Sequence, residues 1–356
     1  MALDTNSFLD GLIANGYTHL CVVPCSFAKN IINAAINSDK IEYLPSASEA
    51  VACSVAAGLK MSGKNPIVIV QSSGVTNMGS CITSLLKPYG VTFPIMTSWR
   101  TYKEGDSEIQ HQHLATELPT LIEAYGYKHT ILDVEDEATA LSQIDTCDNT
   151  ETICIIKKDS FSKVELLEKH QLDFSHLTAR SEFLIKMNET FKDTDTLFIG
   201  TTGNTAREMY SFMPDTNNFY MAGNMGGALS LGLGAALAGK KVVVCGGDAE
   251  FVMHMGGMTT AGRYENIDLT YMLFDNGSNK STGGQNTYQS HVDYINIAKS
   301  SGLTTNSEVI EKLSDFSEKL EELKSNSGLK FVSVKCGIDD ETPRPPIEIV
   351  KVKEFN

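Results

Sequence analysis

Two oxygen-bearing side chains, Asp248 and Asn276, each follow a short apolar run. Lys241–Cys245 (KVVVC) leads into Gly246-Gly247-Asp248, and Leu269–Phe274 leads into Asp275-Asn276-Gly277. Such runs read as buried strands, which puts each residue at a strand's carboxyl end, the edge where open parallel sheets bind ligands. A carboxylate and an amide oxygen, with glycines that let backbone come close, suit a hard cation held against a phosphate. Singly, Asp248 is explained as a helix N-cap and Asn276 as a turn residue. As a pair, with 25 residues between Ala249 and Asp275, they leave both readings open.

A third candidate lies far upstream. Glu49, in Leu44-Pro-Ser-Ala-Ser-Glu49-Ala-Val-Ala, opens an Ala-rich helical stretch. It serves there either as a first-turn residue favoured by the helix dipole or as a carboxylate placed to share a proton.

The elements that must position these residues alternate along the chain. Helix 5–15 precedes strand 19–23, and helix 29–37 precedes a short strand near Tyr43. Helix 48–62 leads to strand 66–71, a Ser-Ser-Gly turn and helix 75–87. Strand 93–99, helix 115–125, strand 128–132, helix 137–144 and strand 152–157 follow. The rhythm breaks in a polar, charged run at 158–180. It resumes with helix 181–191, strand 196–199, a Gly-Thr-Thr-Gly turn, helix 204–212, strand 218–221 and helix 228–238, ahead of the two strands described above. Helices 292–300 and 309–324 and strand 331–335 complete the chain. Short strands alternating with longer helices predict an α/β fold, with parallel sheets covered on both faces. The expected division is a first domain over 1–160, a linker over 161–180 and a second domain over 181–356. Gly232-Leu-Gly234 resembles the start of a dinucleotide fingerprint, the mark of an NAD-dependent dehydrogenase. It falls inside a helical run, where helix packing explains it better.

Composition narrows the class. The chain has 356 residues, 42% hydrophobic and 21% charged, as in globular proteins of two ordinary domains. A formal net charge of -15 argues against nucleic acid as a partner. No apolar stretch reaches membrane-spanning length, and the start, MALDTNSFLDGLIANGY, reads as an amphipathic helix rather than a signal peptide. Eight scattered cysteines without a Cys-x-x-Cys favour reduced, buried thiols and a cytoplasmic location.

Gly247-Asp248-Ala249, the spacing and Asp275-Asn276 together resemble the motif of the thiamine diphosphate-dependent decarboxylase family. That motif runs Gly-Asp-Gly, some 25 to 30 residues, then Asn-Asn; here Ala249 and Asp275 depart from it. The resemblance implies two thiamine-diphosphate-binding-type domains, the pyrimidine-binding one first and the diphosphate-binding one second, with no middle domain. It implies Mg²⁺ held by Asp248, Asn276 and the carbonyl of Ser278, with Gly247 and Ala249 beside the diphosphate. Glu49 would activate the aminopyrimidine, which Ser73 and Gly74 would face. Met225 would wedge under the cofactor, and Thr201, Thr202 and Gly203 would form the loop that meets the diphosphate and the aminopyrimidine.

Within that family the chain most resembles the two-domain branch acting on phosphonopyruvate, and less closely the branch acting on sulfopyruvate. Val-Val-Pro-Cys-Ser-Phe (22–27), Glu108-Ile-Gln-His111 and Ser281-Thr-Gly-Gly-Gln285 carry this likeness. It implies decarboxylation of 3-phosphonopyruvate to phosphonoacetaldehyde and CO₂, a step of phosphonate biosynthesis. The partner would be a small anionic 2-oxo acid. Its two acidic ends call for charge-assisted donors. Ser26, Arg100, His111, Lys280, Ser281 and Thr282 are the substrate candidates, with Lys29 and His113 behind them. Ser26 and His111 join Glu49 as catalytic candidates. Arg100 reads either as a fork for the phosphonate or as a solvated loop charge, and Lys103 likewise. His113, His254 and His291 read as structural. By the same resemblance the sites form between subunits of a homo-oligomer. The alternatives are a sulfopyruvate decarboxylase and a non-catalytic subunit of the same fold.

Overall fold

A computed structural model of the chain describes residues 2–102, 109–339, 341–344 and 355. Glu108 and Lys103 of the motifs above lie outside the described residues. The chain divides into two compact units, Met1–Gln171 with Asn279–Asn286, and Leu172–Ser278 with Thr287–Asn356.

The first unit carries six strands: β1 (His19–Val22), β2 (Glu42–Pro45), β3 (Pro66–Gln71), β4 (Ile95–Ser98), β5 (Lys128–Ile131) and β6 (Thr152–Ile156). They pair in parallel in the order β2-β1-β3-β4-β6-β5. Leu20 and Val22 point to a core shared with helices α1 (Thr5–Ala14) and α2 (Lys29–Asn37). Cys21 points the other way, to Ala52, Cys53 and Ala56 of α3 (Glu49–Met61). A sheet buried on both faces needs continuous apolar strands, and in β3 the five residues from Pro66 to Val70 are all buried. Helix α4 spans Ser72–Asn77, α5 Gln112–Ala124 and α6 Glu137–Asn149.

The second unit carries β7 (Leu197–Gly200), β8 (Asn217–Tyr220), β9 (Val242–Gly247), β10 (Leu269–Asp275), β11 (Thr304–Thr305) and β12 (Leu329–Lys335). They pair in parallel in the order β8-β7-β9-β10-β12-β11. Counted within its own unit, each sheet has the order second, first, third, fourth, sixth, fifth. Helices α7 (Arg180–Phe191) and α8 (Asn204–Phe212) cover one face together with α13 (Leu313–Ser325). The other face is covered by α9 (Ala228–Leu237), α10 (Asp248–Met253), α11 (Gly257–Ala261) and α12 (Tyr294–Ser300). Gly232 lies inside α9, where a Cβ would stand 2.5 Å from Val244. It is a packing glycine, not a phosphate turn.

Three expected boundaries are corrected. The Ser-Ser-Gly stretch is no turn: α4 begins at Ser72, and helical structure runs to Tyr89 through a π-helical segment at Ile82–Leu86. The helix expected from Val309 starts at Leu313, because Ile310 is used in a bridge to Val334 of β12. Strand β9 runs on through both glycines, so Gly247 is the N-cap of α10 and Asp248 its first residue. All eight cysteines are buried and unpaired. Among the described residues no helix is long and apolar enough to cross a membrane.

Candidate functional site

In the first sheet the carboxyl ends of β2, β1, β3 and β4 are neighbours, and each is followed by a chemically capable residue. The order reverses direction between β1 and β3, the switch point at which loops on either side diverge and leave a crevice. Glu49 follows β2 as the first residue of α3. Ser48 caps this helix by accepting from the N–H of Val51. The residue is nonetheless only 4% exposed. Its stem runs over Gly74, where a Cβ would stand 2.5 Å from Glu49 Cγ. Asn77 Nδ2, one helical turn beyond Gly74, donates to Glu49 Oε2 at 2.8 Å. Ser73 accepts from Gln71 Nε2 at 2.6 Å.

Ser26 follows β1 in a short 3-10 turn, Ser26–Ala28, and is exposed. Arg100 follows β4. Its guanidinium lies 4.4 Å from the Phe27 ring centroid and donates through Nη1 to Ser26 Oγ. At 8% exposure Arg100 is not a solvated loop charge. A guanidinium over an aromatic face gains a cation–π contact, and its planar fork of N–H groups matches an anion with several oxygens. His111 closes the turn Ile109–His111 ahead of α5 and is buried, whereas His113 is exposed. Lys280, Ser281 and Thr282 form one 3-10 turn within the same unit, with Lys280 and Ser281 exposed.

The second unit brings Asp248, Asn276 and Ser278 to the carboxyl ends of adjacent strands β9 and β10. All three are buried. Asp248 Oδ2 accepts from Thr287 Oγ1 at 2.8 Å. Burial, and then the charge of Asp275, push the Asp248 carboxyl up to about 6. Asn276 Oδ1 accepts from the N–H of Ser278 at 2.9 Å. Asp275 does two things: it accepts from the N–H of Gly277 at 2.9 Å, closing the turn, and it pairs with Lys335 at 2.8 Å. Gly277 has φ of +65°, and nothing lies within 4 Å of where its Cβ would be. The same space is open at Gly247.

Across the switch point of this sheet, between β7 and β9, lies Thr201-Thr202-Gly203. The Thr202 hydroxyl donates to the carbonyl of Ala222 at 2.8 Å, and Gly203, with φ of +94°, caps α8. Met225 is half-buried in the turn before α9. The hydroxyls of Thr201 and Ser278 are buried without a partner among the described residues. Unsatisfied buried hydroxyls are costly, so a ligand with phosphate-like oxygens would stabilise both.

Several neighbours of these residues escape a reading of the sequence alone. Asn77 is 28 positions from Glu49, and Thr287 is 39 from Asp248. Glu250 is buried on α10 two residues from Asp248, accepting from the Tyr271 hydroxyl. Burial pushes its carboxyl up to about 7. Gly246 makes this pair possible, since a Cβ there would meet the Tyr271 hydroxyl at 2.0 Å. Only the missing side chain of Gly246 leaves a trace in the sequence.

Two family models match the chain. Residues 5–116 match the thiamine pyrophosphate enzyme N-terminal TPP binding domain, and residues 199–334 match the C-terminal TPP binding domain. The chain is 29% identical to the phosphonopyruvate decarboxylase of Streptomyces viridochromogenes, over 96% of this chain and 91% of that protein. It is 28% identical to the phosphonopyruvate decarboxylase of Streptomyces hygroscopicus, over 84% and 79% respectively. It is also 25% identical to the sulfopyruvate decarboxylase of Methanosarcina acetivorans, over 88% and 86%. With a glutamate-bearing sheet in the first matched domain and an aspartate–asparagine pair in the second, the chain belongs to the thiamine pyrophosphate enzyme family.

Proposed function

We propose that the protein is a thiamine diphosphate- and Mg²⁺-dependent decarboxylase of 3-phosphonopyruvate, releasing phosphonoacetaldehyde and CO₂ in phosphonate biosynthesis. The observation that carries this reading is the repeated sheet order. The carboxyl edge of each sheet carries residues that suit one half of a thiamine site, Glu49 with Asn77 in the first and Asp248 with Asn276 in the second.

The second unit fits the diphosphate and its cation. Asp248, Asn276 Oδ1 and the carbonyl of Ser278 supply oxygen donors for Mg²⁺. A divalent ion would return Asp248, raised by burial, to its carboxylate form. The Thr201 and Ser278 hydroxyls and the open backbone at Gly247 and Gly277 suit a group rich in acceptor oxygens. When bound, thiamine diphosphate supplies the nucleophilic carbon and the electron sink that CO₂ loss requires. Glu49 holds a proton against the pyrimidine, with Asn77 and Gly74 fixing its carboxylate. Arg100, stacked on Phe27 and joined to Ser26, takes the acidic end of the substrate. His111, buried at the same end of the unit, binds substrate or moves its proton.

The working enzyme is a homo-oligomer with sites between subunits. Helix α3, which opens on Glu49, exposes Val51, Val55 and Met61 at 44%, 40% and 64%. An apolar stripe of that kind marks a contact surface.

The test is to strip metal and cofactor, then restore Mg²⁺ with thiamine diphosphate or with NAD. Phosphonopyruvate and sulfopyruvate are offered side by side while CO₂ is followed. Release from phosphonopyruvate with the thiamine cofactor is expected. Preference for sulfopyruvate would move the protein to the other branch, and no CO₂ from either acid would overturn the reading.

A further inference from the structure

Residues 279–286 belong to the first unit although the chain on both sides of them belongs to the second. One buried contact explains where they are held. Gln285 is fully buried, and its Nε2 donates to Asn33 Oδ1 on α2 at 2.8 Å. Asn33 is 1% exposed, and its Nδ2 donates to the carbonyl of Val164 at 2.9 Å. That carbonyl can only accept, so the orientation of both amides is settled. Asn33 must present its oxygen, and Gln285 must present its nitrogen.

The loop ahead of Gln285 is shaped to let this contact form. The N–H groups of Gly283 and Gly284 both donate to the carbonyl of Asn279, at 3.1 and 3.0 Å, closing a tight turn around Lys280–Thr282. Gly283 has φ of +145°, and a Cβ there would stand 2.4 Å from Gln285 Nε2 and 2.9 Å from Lys29 Cγ. Only glycine satisfies the backbone angle and the space together. Lys29 is the first residue of α2, and the turn before it is Ser26–Ala28, whose serine receives Arg100. The loop is therefore seated on the same end of α2 as the proposed anion pocket.

We propose that Asn33 and Gln285 form a buried amide latch that seats Lys280–Gly284 on the first unit as a wall of the pocket for the substrate's acidic end. Both are positioning residues: neither touches substrate, and they act through the loop. Gln285 Oε1 is buried without a partner among the described residues. An amide held by one of its two ends is a ready release point, since opening it breaks a single hydrogen bond. The substrate assigned to this pocket rests on the decarboxylase reading; the latch itself does not.

Two measurements on the full-length protein separate these parts. Hydrogen exchange across 279–286 is compared in wild type, Asn33→Ala, Gln285→Glu and the double variant. Gln285→Glu keeps size but offers no donor to an oxygen that can only accept. All three variants should lose protection to the same extent, and independent, additive losses would overturn the latch. The second measurement is the KM for phosphonopyruvate and for sulfopyruvate, with thiamine diphosphate affinity alongside. Gln285→Glu should raise KM about 10-fold or more and leave cofactor affinity within about 2-fold. An unchanged KM with an exposed loop would overturn the pocket role. If the wild-type protein decarboxylated neither acid, the functional reading would fail while hydrogen exchange still decided the latch.

Discussion

Glu49 is held by geometry at two of its atoms, and its neighbours set how replacements should behave. Glu49→Gln removes the titratable proton but keeps the shape over Gly74. Decarboxylation should fall about 100-fold or more, the ordinary range for a general acid–base group, with thermal stability little changed. Asn77→Ala leaves the carboxylate unheld and one charge-assisted bond poorer, about 1.5–3 kcal/mol, or roughly 10- to 100-fold in rate if all of it reaches the transition state. Rates of CO₂ release settle both, and an Asn77→Ala enzyme of full activity would remove Asn77 from the site. Arg100→Lys tests the fork. Lysine is a point charge without the planar face that stacks on Phe27. The loss in kcat/KM should be larger for a phosphonate dianion than for a sulfonate monoanion. Equal losses on both substrates would show that Arg100 does not read the acidic group.

Among the elements, α10 carries the strongest electrostatic signature. Its Asp248 and Glu250 are both buried, with carboxyls pushed up to about 6 and about 7. A folded-state value above the unfolded one means that the proton-bound form is favoured by folding. The stability from each group is full below pH 4 and is lost as pH rises through 6 and then 7, about 1.4 kcal/mol for every tenfold weakening of the acid on folding. Bound Mg²⁺ reverses the balance at Asp248 alone, because it prefers the ionised carboxylate. The rise in Tm on adding Mg²⁺ with thiamine diphosphate should thus be larger at pH 7.5 than at pH 5.5. Glu250→Gln should flatten the slope of the cofactor-free protein near pH 7 and leave the Mg²⁺ increment intact. A Mg²⁺ increment independent of pH would take Asp248 out of the cation site.

Most strands and helices were legible because period and punctuation agreed: Lys29–Asn37, Pro66–Gln71 and Asn204–Phe212 have the boundaries their patterns predict. Where Ser72-Ser73-Gly74 suggested a turn, a helix begins at Ser72, since tertiary packing of Gly74 under Glu49 overrides the local preference of small polar residues. Asp248 and Asn276 stood out through motif spacing, and Glu49 through its place at the head of an Ala-rich helix. Asn77, Thr287, Phe27 and Asn33 did not, because what matters about each is a contact with a residue tens of positions away.

At the scale of the whole molecule, two units of identical strand order each carry candidate site residues at the carboxyl edge of their sheet. The exposed stripe Val51, Val55 and Met61 begins two residues from Glu49, so assembly and activity should fail together. Val51→Asp with Val55→Asp places two charges in that stripe and should shift the sedimentation profile towards monomer, with CO₂ release lost in parallel. An active monomer would sink the shared-site arrangement.

The chain passes from one unit to the other three times, at 171–172, 278–279 and 286–287. A polypeptide cut in the linker would leave the eight residues 279–286 on the fragment that carries the second unit, apart from the α2 surface that receives them. Their seating would become a meeting of two molecules, governed by concentration where continuity of one chain now supplies it. Covalent connection at 171–172 therefore works as a local reservoir of partner. It keeps the Gln285–Asn33 contact formed at dilutions that would strip it from a divided protein.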